Sequence, residues 1–201
     1  SRFKAAWQHI HDRVRVVNGA SHVKFHYCPW PTAGGSDTSV TANYPGDAWC
    51  QYVGTDIYSS VFNATDTFAQ VPSLRNAINA SYTELTGISA LPIILGEAGV
   101  TQANTAATPN VTFADSDRAG WFTGTGWTGA GSAGGYPWVA ANDPQVRNIT
   151  YFDISQWLFN QASWPLTIGA YAAQASSYTA RMPGANLRDV ALPGRALPIF
   201  S

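Results

Sequence analysis

The sequence predicts an α/β fold of the (β/α) barrel type. Three observations carry that reading. Short apolar or β-branched runs alternate with helix-length connections, which favours a parallel sheet. Three of these runs end in a polar or titratable cluster, and (β/α) barrels carry their chemistry at strand C-termini. Neither a G-x-G-x-x-G fingerprint nor a phosphate-binding loop supports a doubly wound nucleotide fold.

The elements follow in order. Phe3, Ala6, Trp7, Ile10, Val14 and Val17 recur at helical spacing and give one apolar face. Asn18-Gly19 ends that helix. His22 to Cys28 alternates in polarity and is rich in aromatic and β-branched residues, which predicts a strand. A loop rich in Pro, Gly, Ser and Thr runs from Pro29 to Asp47, and Tyr52 to Tyr58 forms the second strand. Pro72 opens a helix carrying Leu74, Ala77, Ile78 and Leu85. Ala90 to Glu97 is the third strand. A glycine-rich loop spans 98–147, and loops of that length are usually functional. Asn148 to Asp153 is the fourth strand. A weaker helix over 166–177 and an irregular tail over 182–201 complete one domain of 201 residues.

Composition narrows the function. The chain is 45% hydrophobic and 13% aromatic, enough for one real core. Charged residues make up only 11% and the net charge is -1, so there is no electrostatic case for nucleic acid or an anionic membrane as partner. No stretch reaches the roughly 18 apolar residues of a membrane span. Low charge with many aromatics suits an extracellular protein handling neutral sugars. The chain opens directly on a helix, as a mature or truncated protein would. Cys28 and Cys50, each at the edge of a predicted strand, are either one disulfide or two buried thiols, and the secreted character favours the disulfide. Sequons begin at Asn63, Asn79, Asn110 and Asn148. No His/Cys/Asp spacing resembles a zinc site, no G-x-S-x-G elbow is present, and no cofactor is expected.

Glu97 stands out. The chain has two glutamates, and Glu84 lies in a polar helical stretch. Glu97 follows the run Leu91-Pro92-Ile93-Ile94-Leu95, too short for a helix, and has glycines on both sides at 96 and 99. Such a run reads as a buried parallel strand, which places the carboxylate at the strand's C-terminal end. The structural alternative is a capping or salt-bridged acid.

Three segments together resemble glycoside hydrolase family 26, the retaining β-mannanase group of (β/α)8 glycosidases. Phe3-Lys4-Ala5-Ala6-Trp7-Gln8-His9-Ile10 with Val23-Lys24-Phe25 is similar to the family's fourth helix and fifth strand. Tyr44-Pro45-Gly46-Asp47 with Tyr52-Val53-Gly54-Thr55-Asp56-Ile57-Tyr58 is similar to its sixth strand, and is the most specific match. Pro92-Ile93-Ile94-Leu95-Gly96-Glu97 is similar to the seventh strand. A full barrel takes about 250 residues, so four strands imply the C-terminal half, about strands 5–8. The resemblance implies Glu97 as nucleophile, Tyr58 as the hydrogen-bond donor that orients it, and Asp47 and Asp56 in or near the sugar site. A retaining glycosidase pairs an ionised carboxylate with a protonated one about 5–5.5 Å away. The bland alternative for Tyr58 is a core aromatic with its hydroxyl satisfied, and for Asp56, more strongly, a residue that fixes a loop or strand end.

The family's acid/base glutamate sits in a His-Glu pair on its fourth strand, and this sequence contains no His-Glu pair. The implied partners are a neutral poly- or oligosaccharide and either a complementary half-barrel or a second copy. The non-enzymatic alternative is a secreted carbohydrate-binding protein. Where the family places a tryptophan platform after its eighth strand, this chain offers Tyr151 or Trp157. Trp121, Trp127 and Trp138 in the long loop, and Trp30 after the first strand, either stack on sugar rings or pin the loops. His26 is expected inside the barrel as a satisfied core histidine.

Overall fold

The computed structural model describes residues 1–29, 40–61, 63–101, 103–104, 107, 109 and 111–151. Helix α1 (Arg2–His11) starts at Ser1, whose hydroxyl accepts from the Lys4 N–H, and continues into a π-helical stretch over Asp12–Val17. Strand β1 (His26–Tyr27) is followed by α2 (Val40–Asn43), a 3-10 turn at Asp47–Trp49 and β2 (Tyr52–Ser59). After a second 3-10 turn at Phe68–Gln70 comes α3 (Leu74–Ile88), then β3 (Ile93–Val100). A small hairpin of β4 (Ala103–Asn104) and β5 (Val111–Thr112) precedes α4 (Asp115–Thr123), α5 (Tyr136–Asn142) and β6 (Val146–Tyr151).

Strands β1, β2, β3 and β6 form one sheet in that order, and every pairing is parallel. Neighbours in the sheet are therefore neighbours in the chain apart from the β4–β5 hairpin. A doubly wound sheet reverses its order at a switch point; this one does not. The result is a segment of an α/β barrel, as predicted.

The two faces of the sheet differ. Val53, Ile57, Ile93, Leu95, Ala98 and Val100 are buried together with Leu74, Ile78 and Leu85 of α3. Alternation along the strands makes this the helix-covered face. Ser73 caps α3, accepting from the Asn76 N–H at 3.1 Å and donating to the Ser132 carbonyl at 2.8 Å. The other face carries His26, Cys28, Asp56, Tyr58 and Glu97. A Cβ added at Gly96 would lie 2.8 Å from Cys28 Sγ, 3.0 Å from Asp56 Oδ1 and 3.6 Å from His26 Cε1, which places all of them on one side. Gly54 is equally constrained on that side: its Cβ would fall 1.7 Å from the Ile94 carbonyl oxygen and 2.4 Å from His26 Nε2.

Several expectations need correcting. The stretch 98–147 is not one loop: it holds the end of β3, the β4–β5 hairpin, α4, α5 and the start of β6. Its helices are short and lack a clean apolar stripe, so periodicity did not reveal them. The strand expected over 22–28 shrinks to His26–Tyr27. The disulfide is also corrected: both cysteines are free. Because His26 pairs with Tyr52, Cys28 lies level with Gly54, four residues from Cys50 along the strand direction. At about 3.3 Å per residue that is about 13 Å, whereas a disulfide needs Cα atoms within about 7 Å. The expected helix at 166–177 and the tail at 182–201 lie outside the described residues.

Candidate active site

Glu97 reaches its position through an irregularity in β3. The pairing with β2 passes from Thr55↔Leu95 to Ile57↔Ala98, so Asp56 alone faces both Gly96 and Glu97. The pairing with β6 jumps at the same place, from Leu95↔Ile149 to Ala98↔Tyr151. An extra residue in one strand is a β-bulge, which bends the strand and re-aims a side chain. Glycine at 96 is what the crowded inner face requires beside Cys28 and Asp56.

The Tyr58 hydroxyl donates to Glu97 Oε2. Both side chains are half-buried. Burial first, and then the hydrogen bond to the Glu97 carboxylate, push the Tyr58 phenol well above its ordinary range. The phenol therefore stays protonated and remains a donor at any working pH. Asp56 lies beside this pair. Burial raises its carboxyl, and the negative Glu97 adds to the rise, while the Cys28 thiol and the Glu97 backbone N–H pull it back. The Cys28 S–H donates to Asp56 Oδ1 at 3.5 Å. His26 completes the inner face. Burial lowers its pKa, backbone hydrogen bonds at Ile94 and Val53 pull it back up, and its Nε2 has no hydrogen-bond partner among the described residues.

Asp47 is a second correction. It lies before β2 begins, at the N-terminal end of the sheet, opposite the end where Glu97 sits. Its Oδ1 accepts from the Tyr44 hydroxyl and, at 2.9 Å, from Ser89 Oγ at the foot of β3. This clamp ties the feet of two strands together, a structural task. Glu84 lies on α3, behind the sheet. Burial raises the Tyr27 phenol to about 12, with lesser contributions from Cys50 and Glu84, so Glu84 belongs to the Tyr27 side of the sheet rather than to that of Glu97.

Of the tryptophans expected either to stack on sugar rings or to pin the loops, Trp121, Trp127 and Trp138 make pinning contacts. Trp121 is 0% exposed, and its Nε1 donates to Ser59 Oγ at 2.9 Å. Its ring packs edge-on against Phe122 and Tyr136, leaving no face for a sugar. Trp127 packs edge-on against Phe68 and donates to the Ala130 carbonyl at 3.2 Å. Trp138 lies under the Arg75 guanidinium, 4.6 Å from the ring centre. Trp127 and Trp138 pin the β3–β6 connection to the region around α3, and Trp121 ties it to the end of β2. Tyr151 ends β6 level with Ala98, one residue beyond Glu97. Trp30 and Trp157 lie outside the described residues. Of the sequons, Asn63 and Asn79 are exposed, Asn148 is half-buried within β6, and Asn110 lies outside the described residues.

Sequence reasoning missed Cys28 as a partner of Asp56 and Gly96 as one half of a bulge. The glycine directly before the carboxylate was the available signal. Among the described residues, no group of three or more His, Cys, Asp or Glu could hold a metal ion, and no helix is long and apolar enough to cross a membrane.

Comparison with known proteins gives the family. A mannan endo-1,4-beta-mannosidase of Bifidobacterium adolescentis is 32% identical over 71 residues, which are 35% of this chain and 7% of that protein. A Bacillus subtilis mannanase, BCman, superposes with a TM-score of 0.49 and 14% identity over 98% of this chain and 43% of its own. A Cellulomonas fimi endo-beta-1,4-mannanase double mutant gives 0.43 and 16%, covering 87% and 34%. The chain thus spans less than half the length of each of these proteins. The sequence profile of Glycosyl hydrolase family 26 matches residues 1–115. That match covers more than half of the chain and takes in Asp56, Tyr58 and Glu97 together: the chain belongs to glycosyl hydrolase family 26.

Proposed function

We propose that this chain carries the nucleophile of a retaining glycoside hydrolase acting on a neutral, β-linked, mannan-like polysaccharide. The observation that carries the reading is the hydrogen bond from Tyr58 to Glu97 in the C-terminal halves of adjacent parallel strands. Glu97 attacks the anomeric carbon and forms a glycosyl-enzyme, which water then hydrolyses. Tyr58 holds one carboxylate oxygen so that the other faces the sugar. Asp56, half-buried beside them, accepts a sugar hydroxyl. The mannanase names of the relatives support the substrate class.

The acid/base comes from the part of the barrel that these four strands do not supply, on a longer polypeptide or on a separate complementary half. The low charge and the sugar substrate favour an exported protein. The test is Glu97→Ala in the complete barrel. Loss of turnover with oligosaccharide affinity retained supports the enzyme. A parent that binds oligosaccharide without turnover, unchanged by Glu97→Ala, points instead to a sugar-binding protein.

A further inference from the structure

The bulge at Gly96–Glu97 sets an accounting problem. Two consecutive residues of β3 face one residue on each neighbouring strand, so the ladders cannot absorb both of their N–H groups. Two side chains, one just past the end of β1 and one on β2, lie where those groups point. The Gly96 N–H faces the Cys28 sulfur, and the Glu97 N–H faces the Asp56 carboxylate. Cys28 in turn donates its S–H to Asp56 Oδ1 at 3.5 Å. The sulfur fits only because residue 96 has no side chain, since a Cβ there would lie 2.8 Å from it. Burial raises the thiol to about 12, so the proton it donates is held throughout the working range.

We propose that Cys28 is a positioning residue: its thiol holds the Asp56 carboxylate against the Gly96–Glu97 bulge and thereby fixes the direction in which Glu97 leaves the strand. The inference rests on the reading of Glu97 as nucleophile for its catalytic meaning, but the linkage itself is measurable without turnover. The thiol touches neither sugar nor reacting atoms. It acts through Asp56 and the backbone.

The test is an NMR titration of the Asp56 carboxyl carbon in the complete barrel. Cys28→Val keeps the bulk and removes the donor, so the Asp56 midpoint rises by about half a pH unit or more. Cys28→Ser keeps a donor and leaves the midpoint near that of the parent. Parent-like midpoints in both variants overturn the proposal and leave Cys28 a filler of space. If Cys28→Val does not fold, the Raman S–H band of the unsubstituted chain decides, with Cys50→Ala assigning the Cys28 band. A Cys28 band that moves as Asp56 takes up its proton supports the linkage, and one that ignores pH overturns it. A failure of Glu97 to act as nucleophile changes none of these readouts, so the two ideas fail separately.

Discussion

Tyr58 and Glu97 meet across adjacent parallel strands, the phenol donating to a carboxylate that a bulge has turned toward it. The pair is asymmetric. On the proposed roles, removing the carboxylate removes the nucleophile, whereas removing the hydroxyl only frees its orientation. Tyr58→Phe in the complete barrel therefore lowers kcat about a hundredfold, as loss of one buried donor to a reacting group does. Glu97→Ala lowers it by at least about a thousandfold more. Steady-state kinetics on a mannan oligosaccharide checks both. Equal losses in the two variants contradict the assigned roles.

Two glycines give opposite stability outcomes. Gly54→Ala drives a methyl group to within 1.7 Å of the Ile94 carbonyl oxygen, so β2 and β3 must part. The cost is at least about 2 kcal/mol. Gly87 sits near the end of α3 with nothing within 4 Å of its added Cβ, so Gly87→Ala gains about 0.5–1 kcal/mol of helix stability. Urea unfolding of the two variants beside the parent reads both signs.

Asp143 makes stability depend on pH. It is 5% exposed, its Oδ2 has no hydrogen-bond partner among the described residues, and burial raises it from 3.8 to about 6. An acid whose folded pKa lies above its unfolded value keeps its proton longer when folded. Its contribution is thus fully present below about 4, fades as pH rises, and is gone above about 6, a loss of at most about 3 kcal/mol. Asp143→Asn abolishes that slope and is more stable than the parent at pH 7. Denaturant titrations at several pH values check it, and parallel curves for parent and variant contradict it.

Trp121 separates core from sugar platform. Trp121→Phe loses the hydrogen bond to Ser59 and part of a buried ring, costing about 2–3 kcal/mol. Sugar affinity of the folded protein stays unchanged. Thermal unfolding together with calorimetric titration tests both halves of the statement. A folded, equally stable variant with weakened sugar binding returns Trp121 to the site.

What could be read from the sequence was what local pattern encodes. The strands at Tyr52–Ser59 and Ile93–Val100 and the helix at Leu74–Ile88 carry strong periodicity, and each lies within a few residues of its prediction. Glu97 was singled out because strand ends collect chemistry, and Tyr58 because the family resemblance implied it. Pairing was hidden, because register belongs to two strands at once. Cys28 and Cys50 each looked like a strand-edge cysteine, yet the register sets them at opposite ends. The bulge that makes Asp56 face two residues is a pairing property of the same kind. Asp47 sits in a family-like motif but lies on the wrong side of its strand to meet a sugar at the other end. Trp121 lies within the short helix α4, and only tertiary packing decides that its ring is buried.

The most direct test traps the intermediate. The complete barrel is incubated with a 2-deoxy-2-fluoro glycoside of the mannan type, which slows hydrolysis of the glycosyl-enzyme, and the digest is mapped by mass. The account predicts one added sugar, on Glu97. A label on any other carboxylate, or steady turnover with inversion and no label, contradicts it.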